Sequence, residues 1–179
     1  GVCGEMSALW ATFLSFCMLP ARVVMQQVGN LSKEEPPSLV VHRCSKSGGC
    51  QMEEATVTLD ANWRWVHSTS STSADCLAGD GWAPAICPDP ETCARRCAIE
   101  GVTQDAYDRT YGIRDTGGGI EIGYVTKSTY GENVGSRLYL TEGDSYRMFR
   151  LLNREMTFDV DVSRLPCGLN GAVYLVGMQ

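Results

Sequence analysis

"ATVTLD", residues 55–60, is the stretch that decides the fold class. Ala55, Val57 and Leu59 alternate with Thr56, Thr58 and Asp60. A period of two places the apolar set on one face and the polar set on the other, as a half-buried strand requires and a helix does not. The same alternation runs through "MTFDVDV" (156–162), where Met156, Phe158, Val160 and Val162 face one way and Thr157, Asp159 and Asp161 the other. "IEIGYVT" (120–126), "SRLYL" (136–140) and "AVYLVGM" (172–178) add segments rich in β-branched and aromatic residues. Residues 70–118 read as loop-rich, with one helical segment at "PETCARRCA" (90–98) and no internal repeat. The expected fold is all-β, an antiparallel β-sandwich.

A chain of 179 residues is long enough for one domain with a core of its own, and 44% hydrophobic against 20% charged residues excludes a disordered polymer. The formal charge of −6 and the absence of a basic stripe argue against nucleic acid and against an anionic membrane surface as partners. A neutral polymer or a small molecule remains.

Nine cysteines are heavy usage and point to zinc or redox chemistry in the cytosol, or to disulfides in a secreted protein. From Met6 the chain reads "MSALWATFLSFCMLPARVVMQQ", whose apolar run Leu9 to Leu19 is too short for a bilayer and suits a signal peptide; a buried helix is the alternative. Residues 1–25 are therefore expected to be a leader, with "GVCGE" upstream sequence and with Cys3 and Cys17 lost on processing. Residues 26–179 would form a secreted, extracellular domain. Asn30-Leu31-Ser32 is the sole glycosylation sequon. The last strand segment stops at Gln179 without a turn, so the domain is expected to be incomplete.

Several chemistries find no support. His42 and His67 are the only histidines, and no H-x-x-x-H spacing exists. Cys93-x3-Cys97 and Cys44-x5-Cys50 have spacings open to zinc, but an oxidising compartment favours disulfides, so neither metal nor cofactor is expected. There is no G-x-S-x-G, and "TGGGIEIG" (116–123) lacks the lysine of a phosphate loop, which leaves its glycines to make a hairpin turn. "MEEA" (52–55) and "FDVDV" (158–162) cluster carboxylates. Asp159 and Asp161 at i, i+2 would lie about 7 Å apart on one strand face, but nothing nearby separates their pKa values, and they read as solvated positions.

"DANWRWVH" (60–67) spends two of the four tryptophans within three residues. On a strand Trp63, Trp65 and His67 share one face while Asn62, Arg64 and Val66 take the other. An indole matches the C–H face of a pyranose ring, and burying about 80 Å² in such a stack contributes roughly 2 kcal/mol. Two indoles in the core is the other reading, and Asn62 and Arg64 serve equally well as braces of the strand.

Five segments taken in order narrow the choice: "LDANWRWVHSTSS" (59–71), "ICPDPETCARRCAIEG" (86–101), "YGI" (111–113), "NVGSRLYL" (133–140) and "FDVDVSRLPCGLNGAVYLVGM" (158–178). Together they resemble glycoside hydrolase family 7, the secreted fungal-type cellobiohydrolases and endoglucanases, from about Gln26 to Met178. The resemblance implies a concanavalin-like β-jelly roll with disulfide-stapled loops, of which this chain carries the amino-terminal portion. It implies a cellulose or other β-1,4-glucan chain as partner, with no obligate protein partner. Asn62, Trp63, Trp65, Asn133, Arg137 and Tyr174 match glucan-binding positions. It also implies the pairs Cys44–Cys50, Cys76–Cys97 and Cys87–Cys93, where sequence alone leaves 15 connectivities open. Cys167 would stay unpaired, and a further pair found in many relatives is replaced by Gly29 and Ala98.

The family's catalysis is retaining hydrolysis by an E-x-D-x-x-E motif holding two carboxylates about 5 Å apart. That motif is absent from residues 1–179, "EGDSYR" (142–147) being the nearest approach. No catalytic residue is therefore assigned, and the chain alone is expected to be inactive. "YVTKSTYGENVGSRLYL" and "LPCGLNGAVYLVGM" lean towards the cellobiohydrolase branch. The rival is a non-catalytic carbohydrate-binding secreted protein that keeps the tryptophan plates.

Overall fold

The structure is a computed structural model and describes residues 26–79 and 81–177. The leader expected over residues 1–25 lies outside them. In chain order the first strands are β1 (Gln27–Val28), β2 (Ser38–Ser45), β3 (Gly49–Leu59), β4 (Val66–Ser68), β5 (Ser71–Asp75), β6 (Leu77–Ala78) and β7 (Gly81–Trp82). They are followed by β8 (Cys97–Ile99), β9 (Ile113–Asp115), β10 (Ile120–Ile122), β11 (Val125–Ser128), β12 (Gly131–Val134), β13 (Leu138–Glu142) and β14 (Ser145–Tyr146). One four-stranded sheet has the order β14-β13-β3-β2 and is antiparallel throughout. A second has the order β1-β8-β4-β5, with β1 parallel to β8. Among the described residues, three two-stranded ribbons complete a mostly antiparallel β fold.

Strand β3 behaves as its alternation predicts. Ala55, Val57 and Leu59 are buried, and Leu59 pairs with Leu138 of β13. On the other face the Thr56 and Thr141 hydroxyls meet at 2.7 Å. The loop "CSKSGGC" is the β2–β3 hairpin, with Cys44 opposite Cys50 and Gly49 at φ 66°, a left-handed turn conformation open to glycine without a Cβ clash. "TGGGIEIG" is a hairpin turn as well: Asp115 pairs with Ile120, and the Thr116 N–H donates to the Gly119 carbonyl at 3.0 Å.

Two apolar clusters stand behind these sheets. Leu59, Val102, Tyr107 and Ile113 form one, with Trp63 and Leu138 packed against it. Val66 and the sulfurs of Cys76, Cys87, Cys93 and Cys97 form the other. Helix α1 (Pro90–Arg96) starts where Asp89 accepts the Thr92 N–H at 2.8 Å, with proline in the first turn. It stops short of the expected residue 98 because Cys97 leaves the helix for β8. Helix α2 (Gln104–Arg109), capped by Thr103, was not expected. Its six residues are too few to display a helical period, and its one large apolar side chain, Tyr107, is fully buried.

Three strand expectations are corrected. Residues 60–67 are not one strand, because β3 ends at Leu59 and a 3-10 turn, Ala61–Trp63, intervenes, capped by Asp60 accepting the Asn62 N–H at 2.9 Å. "MTFDVDV" and residues 172–177 of "AVYLVGM" carry no strand. Phe158, Val160, Val162, Val173, Leu175 and Val176 are all exposed. Alternation creates a strand only where another backbone completes the ladder. Among the described residues, the backbone bonds from Arg150 onward are turn contacts such as Leu165 N–H to the Val162 carbonyl.

Candidate functional site

The candidate site is built around Asp60, which follows β3 and is 8% exposed. Its Oδ2 accepts from Arg137 Nε at 2.9 Å, Arg137 Nη2 at 2.8 Å and the Tyr139 hydroxyl at 2.8 Å. Burial alone would push its carboxyl up; the Asn62 N–H, the Tyr139 hydroxyl and Arg137 outweigh burial and hold it below the ordinary carboxylate range. Asp60 thus fixes Arg137 as a planar fork while leaving that side chain 41% exposed. The guanidinium carbon lies 6.0 Å from the Trp63 ring centroid and 5.9 Å from that of Tyr139, at the outer range of cation–π contact.

Trp63 is half-buried against the Leu59–Tyr107 cluster, and its Nε1–H points to the Val134 carbonyl at 3.5 Å. That contact ties the turn to β12, which carries Asn133; the Asn133 side chain donates to the Gly135 carbonyl at 3.0 Å. Tyr174 is exposed, and its hydroxyl joins Asp60, the larger influence, in raising the Arg137 pKa. Trp63, Arg137 and Tyr174 therefore lie together, with Asn133 next to the Val134 carbonyl that Trp63 faces, whereas Asn62 lines a separate hollow with Val66, Leu77, Trp82 and Ile99. Trp65 is held elsewhere. Its indole is 43% exposed, donates Nε1–H to Asp75 at 2.8 Å, and lies 4.6 Å, centroid to centroid, from the His67 ring.

Arg64 is a brace. It grips Glu34 with Nη1–Oε2 at 2.5 Å and Nη2–Oε1 at 2.9 Å, and donates from Nε to the Leu59 carbonyl at 2.7 Å. The Tyr107 hydroxyl donates to Glu34 at 2.6 Å and accepts the Leu59 N–H at 3.1 Å. Burial, reinforced by Glu34, pushes the Tyr107 phenol up to about 12. Glu34 itself is lowered: burial would raise it, but Arg64, Tyr107 and the Val102 N–H prevail. This network locks the turn bearing Asn62 and Trp63 to the entry segment.

A further buried pair joins His67 Nε2 to Glu100 Oε1 at 2.7 Å, both side chains almost wholly buried. Glu100 Oε2 accepts the Leu31 and Ser32 N–H groups at 2.9 and 2.8 Å. A Cβ at Gly29 would sit 1.9 Å from Glu100 Oε1. For Gly29→Ala we expect a loss of about 1–3 kcal/mol from overpacking, read as a lower urea midpoint with unchanged slope.

Reading the sequence missed Asp60, Tyr139, Glu34 and Glu100. Only Asp60 left a trace, as a capping residue next to the tryptophan motif; the others act across 30 to 79 residues of chain. The bridges Cys44–Cys50, Cys76–Cys97 and Cys87–Cys93 are present, and Cys167 is exposed and free. The sulfurs of Cys87, Cys93 and Cys97 lie within 4.8 Å of one another, but all three are in disulfides, whose neutral sulfurs are not the thiolates that bind metals. Asn30 is exposed, and among the described residues no helix is long and apolar enough to cross a membrane.

Residues 28–179 match the model of glycosyl hydrolase family 7. The chain belongs to this family. Among solved structures, a family 7 cellobiohydrolase from Daphnia pulex is similar at 40% identity and a TM-score of 0.60, over 64% of this chain and 26% of that one. The cellobiohydrolase of Melanocarpus albomyces, solved with cellotetraose, is similar at 39% identity and a TM-score of 0.56, over 64% and 25%. The Humicola insolens endocellulase EGI follows at 27% identity and a TM-score of 0.51, over 64% and 28%. The match thus spans about a quarter of the length of these family 7 enzymes. It supports an extracellular setting, as do three disulfides in so short a family 7 segment.

Proposed function

We propose that this chain carries the glucan-binding part of a cellobiohydrolase-type family 7 domain, secreted to act on cellulose, and that residues 1–179 alone bind β-1,4-glucan without cleaving it. The observation that carries the reading is the Trp63–Arg137–Asp60 cluster, assembled from the segments that resemble the family's glucan-binding motifs. A neutral sugar chain needs flat apolar plates for its C–H faces and fixed donors for its hydroxyls. Trp63 and Trp65 supply plates; Arg137, Asn62, Asn133 and Tyr174 supply polar groups. Asp60 neutralises Arg137, so the cluster can present directed N–H groups to an uncharged ligand without a net charge. The relative solved with cellotetraose supports this substrate class.

The sequence offers no E-x-D-x-x-E pair to protonate the leaving oxygen and attack the anomeric carbon. Incubation of the purified chain with soluble cello-oligosaccharides is expected to release no product above a buffer blank. Measurable turnover would overturn the non-hydrolytic part of the proposal. Sedimentation with microcrystalline cellulose is expected to retain the chain and to bind Trp63→Ala about thirtyfold more weakly, the loss of one stacking plate; equal retention of the two would overturn the binding part.

A further inference from the structure

We infer that His67 and Glu100, which no step of glucan binding touches, are positioning residues for Trp65, and that they tie the set of its indole to the protonation of His67. The inference rests on the proposal that Trp65 is a sugar plate only for its consequence in binding; the positioning itself stands on geometry. His67 is 5% exposed and Glu100 3%. Both imidazole nitrogens face acceptors: Nε2 meets Glu100 Oε1 at 2.7 Å and Nδ1 meets the Ser68 carbonyl at 3.0 Å. Only the doubly protonated ring donates at both positions. The Trp65 ring lies 4.6 Å from this imidazole at a tilt of 36°. It is held on its other edge by Asp75, which lies opposite His67 across the β4–β5 pair.

The charged groups facing His67 are Glu100, just beyond β8, and Asp75 of β5. The entry segment contributes backbone N–H groups, from Leu31 and Ser32, to the second oxygen of Glu100. One proton therefore links the entry segment, β8, β4 and the exposed indole. When it leaves, one ring nitrogen becomes an acceptor facing an acceptor, and the ring must turn or retreat. Trp65 then loses the neighbour that fixes its plane.

The direction of titration agrees. The hydrogen bond to Glu100, opposed by burial, raises the His67 pKa above its ordinary 6.5. For Glu100, burial pushes up, but His67 and the Ser32 and Leu31 N–H groups hold it below 4.5. A raised histidine contributes its full stability below pH 6.5 and loses it as pH climbs through the folded value. A depressed carboxyl contributes above pH 4.5 and loses it as pH falls through its folded value. The pair is fully effective between those limits, and Trp65 is released on the alkaline side.

The test follows the indole N–H signals of the ¹⁵N-labelled full chain by NMR from about pH 5 to about pH 9, assigning Trp65 by Trp65→Phe. The Trp65 signal is expected to move with a single midpoint above 6.5 while that of Trp63 stays put, and His67→Gln, which keeps a donor towards Glu100 but does not titrate, is expected to abolish the movement. Cellotetraose affinity is expected to fall roughly three- to tenfold across the same step in the wild type, as loss of one aromatic contact gives, and to stay flat in His67→Gln. A Trp65 signal that ignores pH, or one that still moves in His67→Gln, overturns the inference. A Trp65 signal that moves in the wild type alone while cellotetraose fails to bind at any pH upholds the positioning and overturns the glucan reading instead.

Discussion

Arg64→Met is expected to destabilise the protein by about 3 kcal/mol, the low end of what breaking a buried ion pair costs, because Glu34 keeps partial contact with water. The Arg64 side chain is only 10% exposed and that of Glu34 34%. The methionine fills similar volume but strands several polar groups at once. Glu34 loses its two-pronged partner, and the Leu59 carbonyl and Thr58 hydroxyl lose donors. Tyr107 keeps its bond to Glu34, which is why the loss stops short of the extreme. Urea denaturation at neutral pH measures the change directly. A midpoint within error of the wild type would mean that the network contributes nothing net, and that the turn carrying Trp63 is held by its apolar contacts alone.

Converting both Cys76 and Cys97 to alanine is expected to cost about 3 kcal/mol or slightly more. The bridge closes a loop of sequence separation 21, and loop-closure entropy in the unfolded chain accounts for about 3 kcal/mol at that length. Both sulfurs are fully buried beside Val66, so their removal also leaves a void in the second cluster. The Cys44–Cys50 bridge spans a separation of only 6 and crosses an exposed hairpin, so the matching double substitution there should cost less. Thermal melts of the two double variants side by side decide the order. A larger loss at Cys44–Cys50 would contradict it.

Where a signal was local, the sequence disclosed it. The alternation in 55–59 predicted the buried face of β3, the glycines of 117–119 predicted the turn between β9 and β10, and residues 90–98 predicted α1 with two residues too many. Where a signal needed a partner elsewhere in the chain, it misled or stayed silent. The alternation in 156–162 is as regular as that in 55–59, yet no described strand pairs with it, and its apolar side chains lie exposed. Trp63 and Trp65 were expected on one strand face; the Asp60 cap turns the chain between β3 and β4 and sends the two indoles to different neighbours. The candidate polar residues Asn62, Asn133, Arg137 and Tyr174 were named through resemblance, whereas the contact that fixes Arg137, to Asp60 across 77 residues, leaves no pattern in a single sequence. Arg64 is the instructive case: the sequence left it open as a brace, and the partner it braces against, Glu34, lies 30 residues away.

On the proposed reading, an indole and an Asp60-held guanidinium grip a neutral glucan. Calorimetric titration of cellotetraose into the purified chain, with Trp63→Ala and Asp60→Asn beside it, tests this most directly. Saturable heat is expected for the wild type, with affinity weakened about thirtyfold in Trp63→Ala, as loss of roughly 2 kcal/mol of stacking requires, and weakened in Asp60→Asn as Arg137 loses its ionic anchor. No heat in the wild type, or equal affinity in all three proteins, would contradict it.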